Sequence, residues 1–229
     1  MYAVSVQSLV EPHFDSAVLL TIDVQADTLD GGALEIAGTS TAVPRIAGLC
    51  RAFRGAGLPI VHVVRLYLGD GSNAEPARRH LVAGPTPMLR PGTPGRLLAP
   101  GLTPGPGAQF DDELLLSGRP QRLGEREVIL YKPRWGAFFG TALDEHLRDN
   151  HVDTVVIAGC NYPNCPRTTI YEASERDYRV VLVEDAVSGL YERGRAEMTN
   201  IGVTLCRSDS VIAHLSTPDR ETVDRVVDR

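Results

Sequence analysis

Cys165 sits in the stretch AGCNYPNCPRTTIYEA, after a turn and directly before Pro166. Proline suits the first turn of a helix, because its φ is already helical and its missing N–H would find no partner there. A thiol at a helix start meets the positive end of the macrodipole, which favours the nucleophilic thiolate. The other use of a cysteine is as a small buried hydrophobe. Packing suits Cys50, inside an amphipathic segment, and also Cys206 and Cys160, the latter closing an apolar run. For Cys165 the turn, the proline and the helix start favour chemistry. Asp23 closes the apolar run AVLLTIDV, where an acid can end a turn or act as a general base. Lys132 is the single lysine among 23 Lys and Arg residues. Arginine keeps its proton at ordinary pH, whereas lysine responds to burial and neighbours. An ammonium also stabilises a thiolate and the oxyanion of acyl transfer.

Apolar runs at Ala17–Val24, Leu58–Arg65, Glu127–Lys132, Asp153–Gly159, Tyr178–Glu184 and Val203–Cys206 predict six strands. Helices are expected over Pro44–Ala56 (capped by Thr39 or Ser40), Glu75–Val82, Thr141–Asp149, Pro166–Arg176, Glu192–Ile201 and Asp209–Leu215. This alternation predicts one α/β domain over residues 1–229. Its architecture is a three-layer α/β/α, Rossmann-like arrangement around a mainly parallel six-stranded sheet. A Gly/Pro-rich stretch, residues 84–109, reads as a long loop rather than a linker, because neither half of the chain has enough strands alone. Ligands of such sheets bind beyond the carboxyl ends of the strands. Asp23, Lys132 and Cys165 all fall on that rim.

Composition narrows the class. A net charge of −6 with scattered arginines argues against nucleic acid. No apolar run approaches the roughly 20 residues of a membrane span, and no secretory leader is visible, so a cytoplasmic protein with reduced thiols is expected. Cys160 and Cys165 are spaced CxxxxC with no second pair, and His62 and His80 do not complete a zinc pattern. Gly-x-Ser-x-Gly, P-loop and GxGxxG motifs are absent.

Three motifs then coincide in order: LLTIDVQAD, YKPRWGAFFGTALDEHL and VVIAGCNYPNCPRTTIYEASERDYRVVLVEDAVSG. Together they resemble the isochorismatase-like cysteine hydrolases, which include N-carbamoylsarcosine amidases, nicotinamidases and ureidoacrylate hydrolases. The resemblance runs from about Ala17 to Leu215. It implies a triad of Asp23, Lys132 and Cys165, and a cis peptide at Cys160–Asn161. It also implies an oxyanion site made by the backbone N–H groups of Asn161 and Cys165. A small-molecule substrate and a homodimer or homotetramer follow from the resemblance as well.

Departures from subfamilies are informative. Members acting on isochorismate lack the cysteine. Nicotinamidases carry an Asp-x-His…His metal site where this chain reads VVRLYLGDGSNAEPARRH, beginning at Arg65. No catalytic metal and no cofactor are therefore expected. Trp135, Phe139 and Tyr162 are candidates for the pocket wall, with ordinary packing as the equal alternative. Gln25, Arg65 and Asn164 are candidate polar contacts. Arg65 suits either a substrate carboxylate or a structural ion pair. The expected function is cysteine-dependent hydrolysis of an amide, carbamoyl or ureido C–N bond. A lactam-opening hydrolase resembling streptothricin hydrolases, or a non-catalytic protein that kept the fold, are the alternatives.

Overall fold

The structure, a computed structural model, describes residues 9–105 and 108–216. Both ends of the expected domain and residues 106–107 of the expected loop lie outside the described residues.

The strands are β1 (Ala17–Ile22), β2 (Ile60–Val64), β3 (Gln121–Gly124), β4 (Glu127–Tyr131), β5 (Thr154–Gly159), β6 (Arg179–Val187) and β7 (Thr204–Cys206). They form one sheet in the order β3-β4-β2-β1-β5-β6-β7. Every pairing is parallel except that of β3 with β4. The sheet thus has seven strands where the hydrophobic pattern predicts six. The addition, β3, reads QRLG and is no more than half-buried, so it offers no apolar alternation to detect. It is a short polar edge strand, a form that discourages pairing with other chains.

The central strands are apolar throughout because both faces are covered. Val18, Leu20 and Ile22 face α4 (Leu143–Asp149), α5 (Cys165–Ser174) and α6 (Glu192–Asn200), meeting Leu147, Ile170 and Met198. Ala17 and Leu19 face the other way, onto α1 (Thr39–Gly55) and α7 (Ser208–Ser216), meeting Ile46, Phe53 and Val211. This alternation is the two-residue period of a strand expressed as two cores. Helix α1 starts at Thr39, so Pro44 lies inside it rather than in its first turn. Gly38, at φ 84°, takes the N-cap position expected of Thr39 or Ser40.

The expected 84–109 loop follows α2 (Pro76–Val82) and leads to α3 (Asp112–Leu116), and among its described residues it carries a single 3-10 turn at Pro94–Arg96. Ala99 and Leu102 are buried against the α1 core, and Leu98 bridges to Gln25. Among the described residues no helix is long and apolar enough to cross a membrane.

Candidate active site

The strand order sends β1 toward β2 and β4 on one side and β5 on the other. The chain reverses its direction of winding between β1 and β5, which opens a crevice at their carboxyl ends. Four adjacent strands deliver the site there. Lys132 follows β4, Arg65 follows β2, Asp23 follows β1, and the Cys160–Cys165 turn follows β5.

Asp23 has φ 55°, a left-handed conformation that a non-glycine residue adopts only under local constraint. Its amide donates to Val63 O at 2.9 Å, and its carbonyl accepts from Thr28 Oγ1 at 3.0 Å and Cys160 Sγ at 3.1 Å. These contacts turn the carboxylate out of the strand and toward the crevice, where Oδ2 meets Lys132 Nζ at 2.9 Å. The other oxygen, Oδ1, is buried without a hydrogen-bond partner. Lys132 is fully buried and also donates to Arg134 O at 3.2 Å. Burial lowers the pKa of its ammonium, but the charge and hydrogen bond of Asp23 together with Cys165 outweigh it and hold the value above that of ordinary lysine.

Gly159 brings β5 up to β1. It has φ 126°, and a Cβ there would lie 2.2 Å from Ile22 O, so only glycine lets the strands approach this closely. Immediately beyond it, Cys160 N donates to Ile22 O at 2.9 Å and the Cys160–Asn161 peptide is cis. Cys165 then opens α5, with Pro166 as its second residue. The helix is held in place by Thr169, whose Oγ1 donates to Cys165 O at 2.8 Å and accepts from Ala137 N at 3.1 Å. Neither the Asn161 nor the Cys165 backbone N–H has an acceptor among the described residues. The pKa of the thiol is raised, against the lowering expected from the helix start. Burial pushes its pKa up, the Asp23 charge adds to that, and Lys132 only partly opposes them, leaving it at about 12. A helix terminus worth about 1 kcal/mol cannot offset removal from water beside a carboxylate.

Asp23, Cys160, Asn161 and Cys165 line a narrow cavity of about 10 Å³, room for about one water, together with Arg65 and the apolar Leu34, Ile36 and Leu89. Arg65 Nη2 pairs with Glu75 Oε2 at 2.8 Å, which realises the ion-pair use of this arginine. Its Nε and Nη1 are nonetheless buried and unpartnered.

The other expected pocket residues stand elsewhere. Gln25 is fully buried and spends its amide on backbone, accepting from Arg65 N and donating to Arg65 O and Arg96 O. It clamps the end of β2 to the loop instead of facing the cavity. Tyr162 is also fully buried, with its hydroxyl on Gly194 O at 3.0 Å; that glycine has no room for a Cβ against the ring. Asn164 forms the N-cap position of α5 and donates to Asn161 Oδ1 at 3.1 Å. Trp135 and Phe139 are exposed and line a separate surface groove with Pro76 and Glu172. Arg78, Tyr67 and Thr28 line the cavity unannounced by sequence. Nothing in their local pattern separates them from surface or core residues. Among the described residues no group of three or more His, Cys, Asp or Glu side chains could hold a metal ion.

An isochorismatase domain model matches residues 17–205. The chain belongs to the isochorismatase family. It is 30% identical over 191 residues to the ureidoacrylate amidohydrolase RutB of Methylorubrum extorquens, covering 75% of this chain and 69% of that protein. It is 29% identical over 194 residues to a "Probable inactive nicotinamidase" of Arabidopsis thaliana, covering 82% and 90%. The crystal structure of N-carbamoylsarcosine amidase from Thermoplasma acidophilum superposes with a TM-score of 0.66 at 26% identity, covering 85% of this chain and 97% of that one.

Proposed function

We propose that this isochorismatase-family protein is a cysteine-dependent amidohydrolase. It cleaves a non-peptide C–N bond of a small molecule through a thioester on Cys165. The observation that carries this reading is the meeting, at one cavity, of a buried thiol and a carboxylate with one unpartnered oxygen, whose other oxygen is held by the buried Lys132 ammonium.

Asp23 Oδ1 takes the Cys165 proton as sulfur attacks the substrate carbonyl carbon. Burial and the Asp23 charge raise the pKa of the thiol, so the attack needs Asp23 Oδ1 as its base. The new oxyanion accepts hydrogen bonds from the Asn161 and Cys165 backbone N–H groups, which no protein acceptor among the described residues engages. As the carbonyl re-forms, the C–N bond breaks and the departing nitrogen takes the proton from Asp23. Water then attacks the thioester and gives Asp23 a proton. That proton returns to sulfur as the acid leaves. Lys132 keeps Asp23 anionic between these transfers and fixes its orientation.

The names of the relatives span ureido and carbamoyl compounds, which share a planar carbonyl bonded to nitrogen. Such a group suits a cavity with both apolar and polar lining residues. Cys165→Ala tests the mechanism. Ammonia release from the best substrate of an amide, ureide and carbamate panel should fall by about 10^4-fold or more. Mass spectrometry of the wild type should trap an acyl adduct on Cys165. Unchanged turnover by the variant overturns the reading, and loss of a lactam ring in place of ammonia release would favour a cyclic substrate.

A further inference from the structure

The charged side chains that line the cavity are unequal in sign: one carboxylate, Asp23, and two guanidiniums, Arg65 and Arg78. Asp23 is matched by Lys132 and Glu75 by Arg65. Arg78 lines the cavity and has no ion pair among the described residues; its Nη1 donates to the Tyr67 hydroxyl at 3.2 Å and its guanidinium lies 5.9 Å from the Trp135 ring.

Arg65 reinforces this reading. It is 2% exposed, yet Nε and Nη1 find no partner. A buried N–H left without an acceptor forfeits about 1–3 kcal/mol, more for a charged group. Its guanidinium is fixed from both sides, by Glu75 at 2.8 Å and by the Tyr67 ring at 4.7 Å from the centroid. Gln25 holds its backbone at both N–H and C=O. The free donors of Arg65 are therefore oriented before any ligand arrives. Tyr67 touches both arginines, through its ring and its hydroxyl, and so sets their spacing.

We propose that the substrate is a monoanion whose carboxylate is held by Arg65 and Arg78, with its scissile carbonyl directed at Cys165. The proposal rests on the amidohydrolase reading for the reaction but not for the binding. The Nε and Nη1 edge of Arg65 offers two donors, and one carboxylate can accept both without disturbing Glu75. Arg78, which has no ion pair among the described residues, supplies a second charge to that carboxylate. A neutral substrate would leave both arginines unanswered.

Succinamate and N-carbamoylglycine, each beside its neutral methyl ester, provide the test. Ammonia release should favour the carboxylate by about 100-fold in kcat/KM, which corresponds to two charge-assisted hydrogen bonds. Arg78→Met should shrink that preference below about tenfold, chiefly by raising KM for the acid. Arg78 makes no ion pair, so its replacement strands no buried carboxylate. Arg65→Lys keeps a positive charge opposite Glu75 but loses the two-donor edge, and it should also reduce the preference. Calorimetry on Cys165→Ala separates binding from chemistry. Carboxylates should bind and esters should not, whether or not the wild type turns them over. Equal handling of acid and ester overturns the proposal, as does the absence of carboxylate binding up to about 10 mM. Tight carboxylate binding without turnover overturns the reaction instead.

Discussion

Strands β2 and β4 carry two buried polar clusters along one sheet, and the clusters differ in completeness. Toward the middle and amino end, Thr21 Oγ1 meets His62 Nδ1 at 2.7 Å, and His62 Nε2 meets Glu127 Oε1 at 2.8 Å. Arg54 grips the same carboxylate through Nε and Nη2, each at 2.7 Å, and Nη2 also donates to Leu102 O. None of these side chains has a buried unpartnered atom. At the carboxyl end, Asp23 Oδ1, Arg65 Nε and Nη1 and Glu75 Oε1 all lack partners. A closed network rigidifies a fold; an open one leaves donors and acceptors that a ligand or water can satisfy. The proton equilibria diverge in the same way. Burial opposes ionisation of Glu127, but Arg54 and His62 overcome it and hold the pKa at about 2. No such compensation rescues the Cys165 thiol, pushed up to about 12.

The contrast is sharpest between Cys165→Ala and Glu127→Gln. The first removes activity and should leave Tm nearly unchanged. The second should lower stability by about 3–5 kcal/mol, because Arg54 loses its buried counter-charge, while activity per folded molecule persists. Denaturant titration beside a turnover assay checks both, and a Glu127→Gln protein of normal stability would dissolve the distinction. The acid response follows from the same group. Its folded pKa lies below the ordinary value of 4.5, so its stabilisation is complete above pH 4.5 and is lost as pH falls toward about 2. Buried His62, whose pKa is depressed by burial, adds to the loss as pH drops through the ordinary histidine value of 6.5. Glu127→Gln should flatten the lower part of that curve.

A smaller effect concerns the thiol. Asp23 is a cause of its raised pKa, so Asp23→Asn should lower it while abolishing efficient turnover. Thiolate absorbance against pH reads the shift, and an unchanged or higher value would separate Asp23 from the thiol. Wild-type Cys165 should alkylate slowly near neutral pH and faster as pH rises. The smallest expected change is Thr21→Val, which removes one hydrogen bond to His62 and should cost about 1 kcal/mol in urea titration with turnover intact.

Asp23, Lys132 and Cys165 were legible because each ends or follows an apolar run, and parallel strands place such ends on one rim. The six longer strands were legible for the same reason: fully buried strands read as uninterrupted hydrophobic runs. β3 was not, being polar and four residues long. The aromatic and amide neighbours expected at the pocket do not line the cavity at Cys165. Tyr162 and Gln25 lie within three residues of catalytic candidates, yet turn inward to bind Gly194 O and Arg65 backbone. Adjacency along a chain fixes where a backbone is, not which way a side chain points.

The sequence by itself determined the chemistry available at the sheet rim: one thiol at a helix start, one acid and the single lysine. It did so because those residues sit at element ends, where local pattern dictates position. Tertiary structure alone decided three further matters: the burial that raises the pKa of Cys165, the free edge of Arg65 and the place of Arg78 at the cavity without an ion pair among the described residues. Each depends on what is packed around a side chain from distant segments, and burial and counter-charge are properties of that assembly rather than of the chain order.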